Sequence, residues 1–212
     1  MKKLELDRIQ CVIFDLDGTL VDSEVICLQG YCDTVPDLDW DVHYMIENLR
    51  GCQFHAIVAA MEGRVGHKLA DDYEITYRAH VAELFEAELK AFPDVVEVVS
   101  ALNLPKCIAS AGPPKKMQHS LGLTGLLPHF EGRLFSSYDV QSWKPEPGLF
   151  LHAAEKMGFA PQNCLVVEDS AVGIKAARRA GMQHLLHVPM GHEAFAGYDG
   201  EILKSYRDFP LK

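Results

Sequence analysis

Basic residues are in short supply in this chain. Lys and Arg number 20 against 30 Asp and Glu, a formal net charge of −10 at pH 7, and no local Lys/Arg cluster offsets it. A nucleic-acid-binding surface needs basic patches, so this balance argues against one. Long apolar runs are also missing, since none approaches the roughly 20 residues that a membrane helix requires. The opening Met1-Lys2-Lys3 carries charge without a following apolar stretch, so no secretory signal is expected. Six cysteines (Cys11, Cys27, Cys32, Cys52, Cys107, Cys164) occur without a CxxC pair, and Cys52-x-x-His55 has no second half at zinc-like spacing. Cys11, Cys107 and Cys164 fall in apolar runs, where buried free thiols are expected; reduced cysteines fit a cytoplasmic location. Repeats and low-complexity segments are absent. The remaining composition, 48% hydrophobic and 24% charged over 212 residues, suits a soluble globular chain with a substantial core, expected as a monomer.

Four short apolar runs read as buried parallel strands: Val12 to Phe14, Pro105 to Ser110, Cys164 to Asp169 and Gln183 to Val188. Helical patterns alternate with them. Pro147 to Met157 places Leu149, Phe150, Ala153, Ala154 and Met157 on one stripe, and Ala171 to Ala180 stops at Gly181. This alternation predicts an α/β fold, a Rossmann-like doubly wound parallel sheet. From about Glu24 to Ala91 the pattern changes to helix after helix, with Val42 to Leu49, Phe54 to Met61 and Ala70 to Leu89 as segments. The expected organisation is therefore a core of residues 1–22 and 92–212 with an inserted all-helical cap of residues 23–91.

Asp15 and Asp17 end the first strand, two positions apart, before a Gly-Thr turn. A strand end projects i and i+2 to the same side, so these carboxylates are expected to converge on one small volume. Like charges so placed call for a cation or a shared proton. A solvated Asp-Gly turn would explain the pair taken alone. Functional groups of parallel sheets gather at the carboxyl ends of the strands, and those ends here add Ser110, Glu168 and Asp169, with Lys144 in a loop before a helix. Hard oxygen ligands of this kind suit Mg²⁺ beside a substrate phosphate. Ser110 with the following amides can hold phosphate oxygens, and Lys144 supplies a compact positive charge. Asp15 could then attack phosphorus while Asp17 moves the proton.

Asp15-Leu16-Asp17-Gly18-Thr19, Ser110 closing a strand, Lys144 before Pro145, and Glu168-Asp169-Ser170-x-x-Gly173 resemble, in order, the four motifs of the haloacid dehalogenase superfamily. Asp22-Ser23-Glu24 and the helical insertion are similar to its β-phosphoglucomutase-like branch. The resemblance implies a Mg²⁺-dependent hydrolase of a small-molecule phosphate ester, such as a sugar or sugar-acid phosphate, working through an aspartyl-phosphate. It implies Asp15 as nucleophile and metal ligand, and Asp17 as acid/base that lends its backbone carbonyl to the metal. It further implies Asp169 as the second carboxylate ligand, Glu168 in or beside the metal shell, and Ser110, Ala111 and Lys144 as phosphoryl binders. Arg50, beside Gly51, reads either as a basic residue closing a helix or as a substrate contact from the cap. Two departures stand out. Cys27 occupies the place where mutases of the branch carry a His, which favours hydrolysis over phosphomutase activity, and Ser110-Ala111-Gly112 replaces the commoner Ser-Asn-Gly. A non-catalytic ligand-binding module on the same fold is the rival from another class; loss of Asp15 or Asp17 would mark it, and both are present.

Overall fold

A computed structural model describes residues 4–49, 52–189 and 193–211. The chain divides into two compact units, Met1–Val21 with Ala91–Lys212, and Asp22–Lys90.

The first unit is built on six parallel strands: β1 (Cys11–Phe14), β2 (Lys106–Ser110), β3 (Leu134–Ser136), β4 (Cys164–Glu168), β5 (Gln183–His187) and β6 (Glu201–Leu203). Their order is β3-β2-β1-β4-β5-β6. Both faces of the central strands are covered, so β1 and β4 are buried along their whole length and read as continuous apolar runs rather than as alternating ones. On one face Cys11, Ile13, Cys107, Ala109, Cys164 and Val166 pack with Leu149, Phe150 and Ala153 and with Ala176 and Ala177. The three strand cysteines are free thiols and buried. On the other face Phe14 meets Phe130 edge-on at 6.1 Å and Phe209 at 5.9 Å. Strands β3 and β6, which the sequence pattern did not announce, are three-residue edges with partly exposed positions and little apolar signal.

The second unit, inserted between the two parts of the first, contains α1 (Glu24–Thr34), α2 (Val42–Leu49), α3 (Phe54–Val65) and α4 (Tyr73–Glu88). Gly30 of α1 lies against α4: a Cβ there would come 2.5 Å from a Val81 methyl, so the two helices approach as closely as glycine permits. Beside it Tyr31 stacks on Tyr77 with ring centroids 4.1 Å apart, and the Tyr77 hydroxyl donates to the Cys27 carbonyl at 3.2 Å. No helix among the described residues is long and apolar enough to cross a membrane.

The remaining helices belong to the first unit: α5 (Val95–Ala101), α6 (Pro114–Leu123), α7 (Leu127–Phe130), α8 (Ser137–Val140), α9 (Gly148–Met157) and α10 (Ala171–Arg179). Its C-terminal part also braces the turn after β1. The Tyr206 hydroxyl donates to the Thr19 carbonyl at 2.9 Å, and His187 Nδ1 lies 3.1 Å from the Gly18 carbonyl. The carbonyl can only accept, so Nδ1 carries the proton. Burial pushes the His187 pKa down to about 4, against the opposing effect of that hydrogen bond. A histidine depressed in the folded state binds fewer protons than it does unfolded, so stability is lost as pH falls from about 6.5 towards 4. This loss amounts to about 3 kcal/mol for a shift of that size. Urea melts of wild type and His187→Asn across this range are expected to show a steeper acid loss in the wild type. Parallel curves would mean that His187 titrates normally.

Candidate active site

In a doubly wound sheet, ligands bind outside the carboxyl ends of the strands where the winding reverses. Here that point lies at β1, which has β2 on one side and β4 on the other. Phe14 is registered opposite Val167, and Asp15 N donates to the Val167 carbonyl at 2.9 Å. The pairing sets Asp15 and Glu168 side by side as the strands end. Asp15, Glu168 and Asp169 each bring a carboxylate oxygen within 4.8 Å of the others. An oxygen-only set of three acidic groups is the donor chemistry of a hard divalent cation, so the residues present fit one.

The charge of this cluster is countered from within. Lys144 Nζ donates to Asp15 Oδ1 and, at 2.7 Å, to Glu168 Oε1, and it lies 5.1 Å from the centre of the Phe150 ring. The three side chains are only 6%, 7% and 2% exposed. Burial pushes the Asp15 pKa up to about 7; the Lys144 charge works against this and Glu168 adds to it. For Lys144 burial disfavours the ammonium, but the Asp15 and Glu168 charges outweigh it, so its pKa lies above the ordinary lysine value. The loop that carries Lys144 is tied down in turn, because Arg179 Nη1 donates to the Pro145 carbonyl at 3.1 Å and to Glu146 Oε1 at 2.6 Å.

The other oxygen of Glu168 accepts from Ser170 N at 2.5 Å and Ser170 Oγ at 2.8 Å. Ser170 also caps α10, its Oγ accepting from Gly173 N at 3.1 Å. The glycine three residues on has a steric reason. A Cβ at Gly173 would overlap the Glu168 carboxylate, just as one at Gly18, which adopts φ +78°, would overlap that of Asp169. Asp169 Oδ1 in turn accepts from Thr19 Oγ1 at 2.9 Å.

Asp17 lies near enough to Asp15 for its charge to add to the rise of the Asp15 pKa, but outside the tightest cluster. Its carboxylate is not among the three that cluster, and Lys116 Nζ donates to its Oδ1 at 2.6 Å. The strand stops at Phe14 and the chain turns at once, with Leu20 N bonded to the Leu16 carbonyl at 2.9 Å. Ser110 closes β2, and its Oγ accepts from Gly112 N at 3.0 Å across the exposed Ala111, while Ser136 Oγ donates to the Gly112 carbonyl at 2.7 Å. Arg50 lies outside the described residues. Three side chains at or behind the site went unnoticed in the sequence. Lys116 sits in the first turn of α6 and looks solvated, while His187 and Tyr206 look like strand and tail residues; only the sheet topology brings them here.

The family model for haloacid dehalogenase-like hydrolases matches residues 9–181. The 6-phosphogluconate phosphatase of Escherichia coli (strain K12) is 40% identical over 181 residues, 84% of this chain and 82% of that protein. The chain thus belongs to the haloacid dehalogenase-like hydrolases and is an enzyme of their phosphatase kind. A haloacid dehalogenase-like protein of unknown function from Agrobacterium tumefaciens shares its structure at a TM-score of 0.81 and 28% identity, over 95% of this chain and 96% of that one. A proposed beta-phosphoglucomutase from Thermotoga maritima shares the fold at a TM-score of 0.75 and 22% identity, over 92% and 94% of the two chains.

Two glycines, one crowded and one in open space, give a direct check on the packing around Glu168. Gly173→Ala is expected to displace Glu168 and destabilise the protein by about 1–3 kcal/mol, the usual range for overpacking. Gly122→Ala in α6 meets no atom within 4 Å and is expected to be neutral or stabilising. Thermal melts that rank the two alike would show that Gly173 is not needed for the approach of Glu168.

Proposed function

We propose that the chain is a Mg²⁺-dependent phosphatase of a sugar or sugar-acid phosphate, with 6-phosphogluconate as the first candidate, working as a cytoplasmic monomer. The observation that carries this reading is the buried lysine shared by two carboxylates, with a third beside them, at the point where the sheet reverses its winding. The substrate assignment is supported by the E. coli relative named for that activity. Stretches running from Asp22 to Cys27, from Lys116 to Ser120 and from Trp143 to Pro145 resemble segments of that kind of phosphatase.

In this reading Asp15 attacks phosphorus. The Asp15–phosphorus bond forms as the ester P–O bond breaks, and a protonated Asp17 gives its proton to the departing oxygen, which leaves as an alcohol. Asp17, now anionic, takes a proton from water as that water cleaves the aspartyl-phosphate. Phosphate leaves, and both aspartates return to their starting states. Lys144 holds Asp15 in place and offsets negative charge on the transferring group. The Ser110 hydroxyl, whose oxygen accepts from Gly112 N, directs its proton to a phosphate oxygen. Glu168 fixes Lys144 while lying in or beside the metal shell. Asp15, Asp169 and the backbone carbonyl of Asp17 would hold Mg²⁺, which when bound supplies Lewis-acid neutralisation of the phosphoryl charge. Arg50 is assigned to substrate recognition.

A panel of phosphate esters assayed with and without Mg²⁺ tests the reading. Wild type is expected to release phosphate from 6-phosphogluconate or a related sugar phosphate with Mg²⁺ and to stop when the ion is chelated. Asp15→Asn is expected to lose activity by on the order of 10³-fold, as removal of a nucleophile does. Wild type that hydrolyses no ester, or Asp15→Asn with undiminished turnover, sinks it.

A further inference from the structure

The first turn of a helix is an unfavourable place for a cation, because the free N–H groups there already carry partial positive charge. Lys116 nevertheless occupies the third position of α6. Side chains of a helix lean toward its N-terminus, so from this position Lys116 reaches back over the turn that joins β2 to α6. That turn is fixed by two hydrogen bonds, Gly112 N to Ser110 Oγ at 3.0 Å and Ser136 Oγ to the Gly112 carbonyl at 2.7 Å. Gly112 forms the floor on which the groups meet. A Cβ built there would lie 3.4 Å from Ser110 Oγ, 3.5 Å from Lys116 Cδ and 3.7 Å from Asp17 Oδ2. The ammonium ends 2.6 Å from Asp17 Oδ1.

The two lysines of the site differ in their surroundings. Lys144 and Asp15 are 6% and 7% exposed, whereas Lys116 and Asp17 are 20% and 28% exposed. The inner pair sits where phosphorus is attacked, and the outer pair sits where an alcohol must leave toward water. We propose that Lys116 is a positioning residue that holds the Asp17 carboxylate in the orientation needed to protonate the leaving group. This rests on the phosphatase reading, with Asp17 as the acid. The proton passes from Asp17 to the ester oxygen as the P–O bond breaks; Lys116 transfers nothing and keeps its charge.

An aryl phosphate with an activated leaving group needs little protonation, while an alkyl phosphate depends on it. The test therefore compares kcat/KM for p-nitrophenyl phosphate and for 6-phosphogluconate, or whichever sugar phosphate the enzyme hydrolyses best. It uses wild type, Lys116→Met, Lys116→Arg, Asp17→Asn and the double variant Asp17→Asn/Lys116→Met. Lys116→Met is expected to lose about 10- to 100-fold on the alkyl ester, below the usual worth of the proton transfer itself, and about tenfold less on the aryl ester. Lys116→Arg is expected to recover most of the difference. The double variant should lose no more than Asp17→Asn alone, since the two residues act as one unit. Equal losses on both esters would overturn the proposal in favour of phosphoryl binding or a folding defect, as would additive losses in the double variant. If Asp17→Asn itself fails to discriminate between the esters, the assignment of Asp17 as the acid falls first, and the proposal with it.

Discussion

A single buried ammonium is the constraint around which the site is arranged. Parallel strands in register deliver Asp15 and Glu168 to neighbouring positions, and the sheet leaves them no room to separate. Two carboxylates removed from water repel each other and lose hydration, a cost of several kcal/mol per ion if nothing opposes it. Lys144 opposes it by donating to both, and its own burial is offset by the same two partners. Removing Lys144 would leave two carboxylates facing each other in a dry place, whereas removing either carboxylate would leave the other paired with the lysine. The surroundings serve this arrangement: the Phe150 ring lies beneath the ammonium, and Arg179 ties the loop that presents it.

The carboxylates are positioned by backbone as much as by charge. Glu168 and Asp169 lie against glycines whose missing side chains make the space, and each accepts from a nearby hydroxyl, Ser170 or Thr19. Such groups have little freedom to reorient when a reaction begins, which is the condition for electrostatic preorganisation. Asp17 lies in a more exposed position, with Lys116 among its partners. Exposure therefore increases outward, from the Lys144, Asp15 and Glu168 side chains to the Lys116–Asp17 pair.

The central strands were legible because burial on both faces writes an unbroken apolar run, as in Cys11–Phe14 and Cys164–Glu168. The short edges β3 and β6 carry no comparable mark. In the inserted unit α1 was not singled out as a helix. Its residues include Gly30, the polar or acidic Glu24, Gln29, Asp33 and Thr34, and two cysteines, a mixture without a clean stripe, and its place is set by close packing on α4. At the site, Asp15, Glu168, Asp169 and Ser110 could be picked out because strand ends concentrate chemistry, and Lys144, in a loop before a helix, only because it completes that set. Lys116 could not, since a lysine in a first helical turn looks like any solvated residue. His187 and Tyr206 act through the backbone of the turn after β1, and no local pattern marks a residue that supports a distant carbonyl.

The brace beneath that turn has a consequence for the order in which the protein can come into being. Asp15 and its lysine are 129 residues apart, and Thr19 and Tyr206 are 187 apart. A chain emerging from the ribosome presents its two aspartates before any of these partners, on a segment with none of its long-range contacts yet made. They remain ordinary hydrated carboxylates until the segments carrying Lys144, Glu168 and Tyr206 have been synthesised and the long loops have closed. The buried charge cluster is thus deferred until those segments arrive, and a chain that lacks them carries the Asp-x-Asp motif without its surroundings.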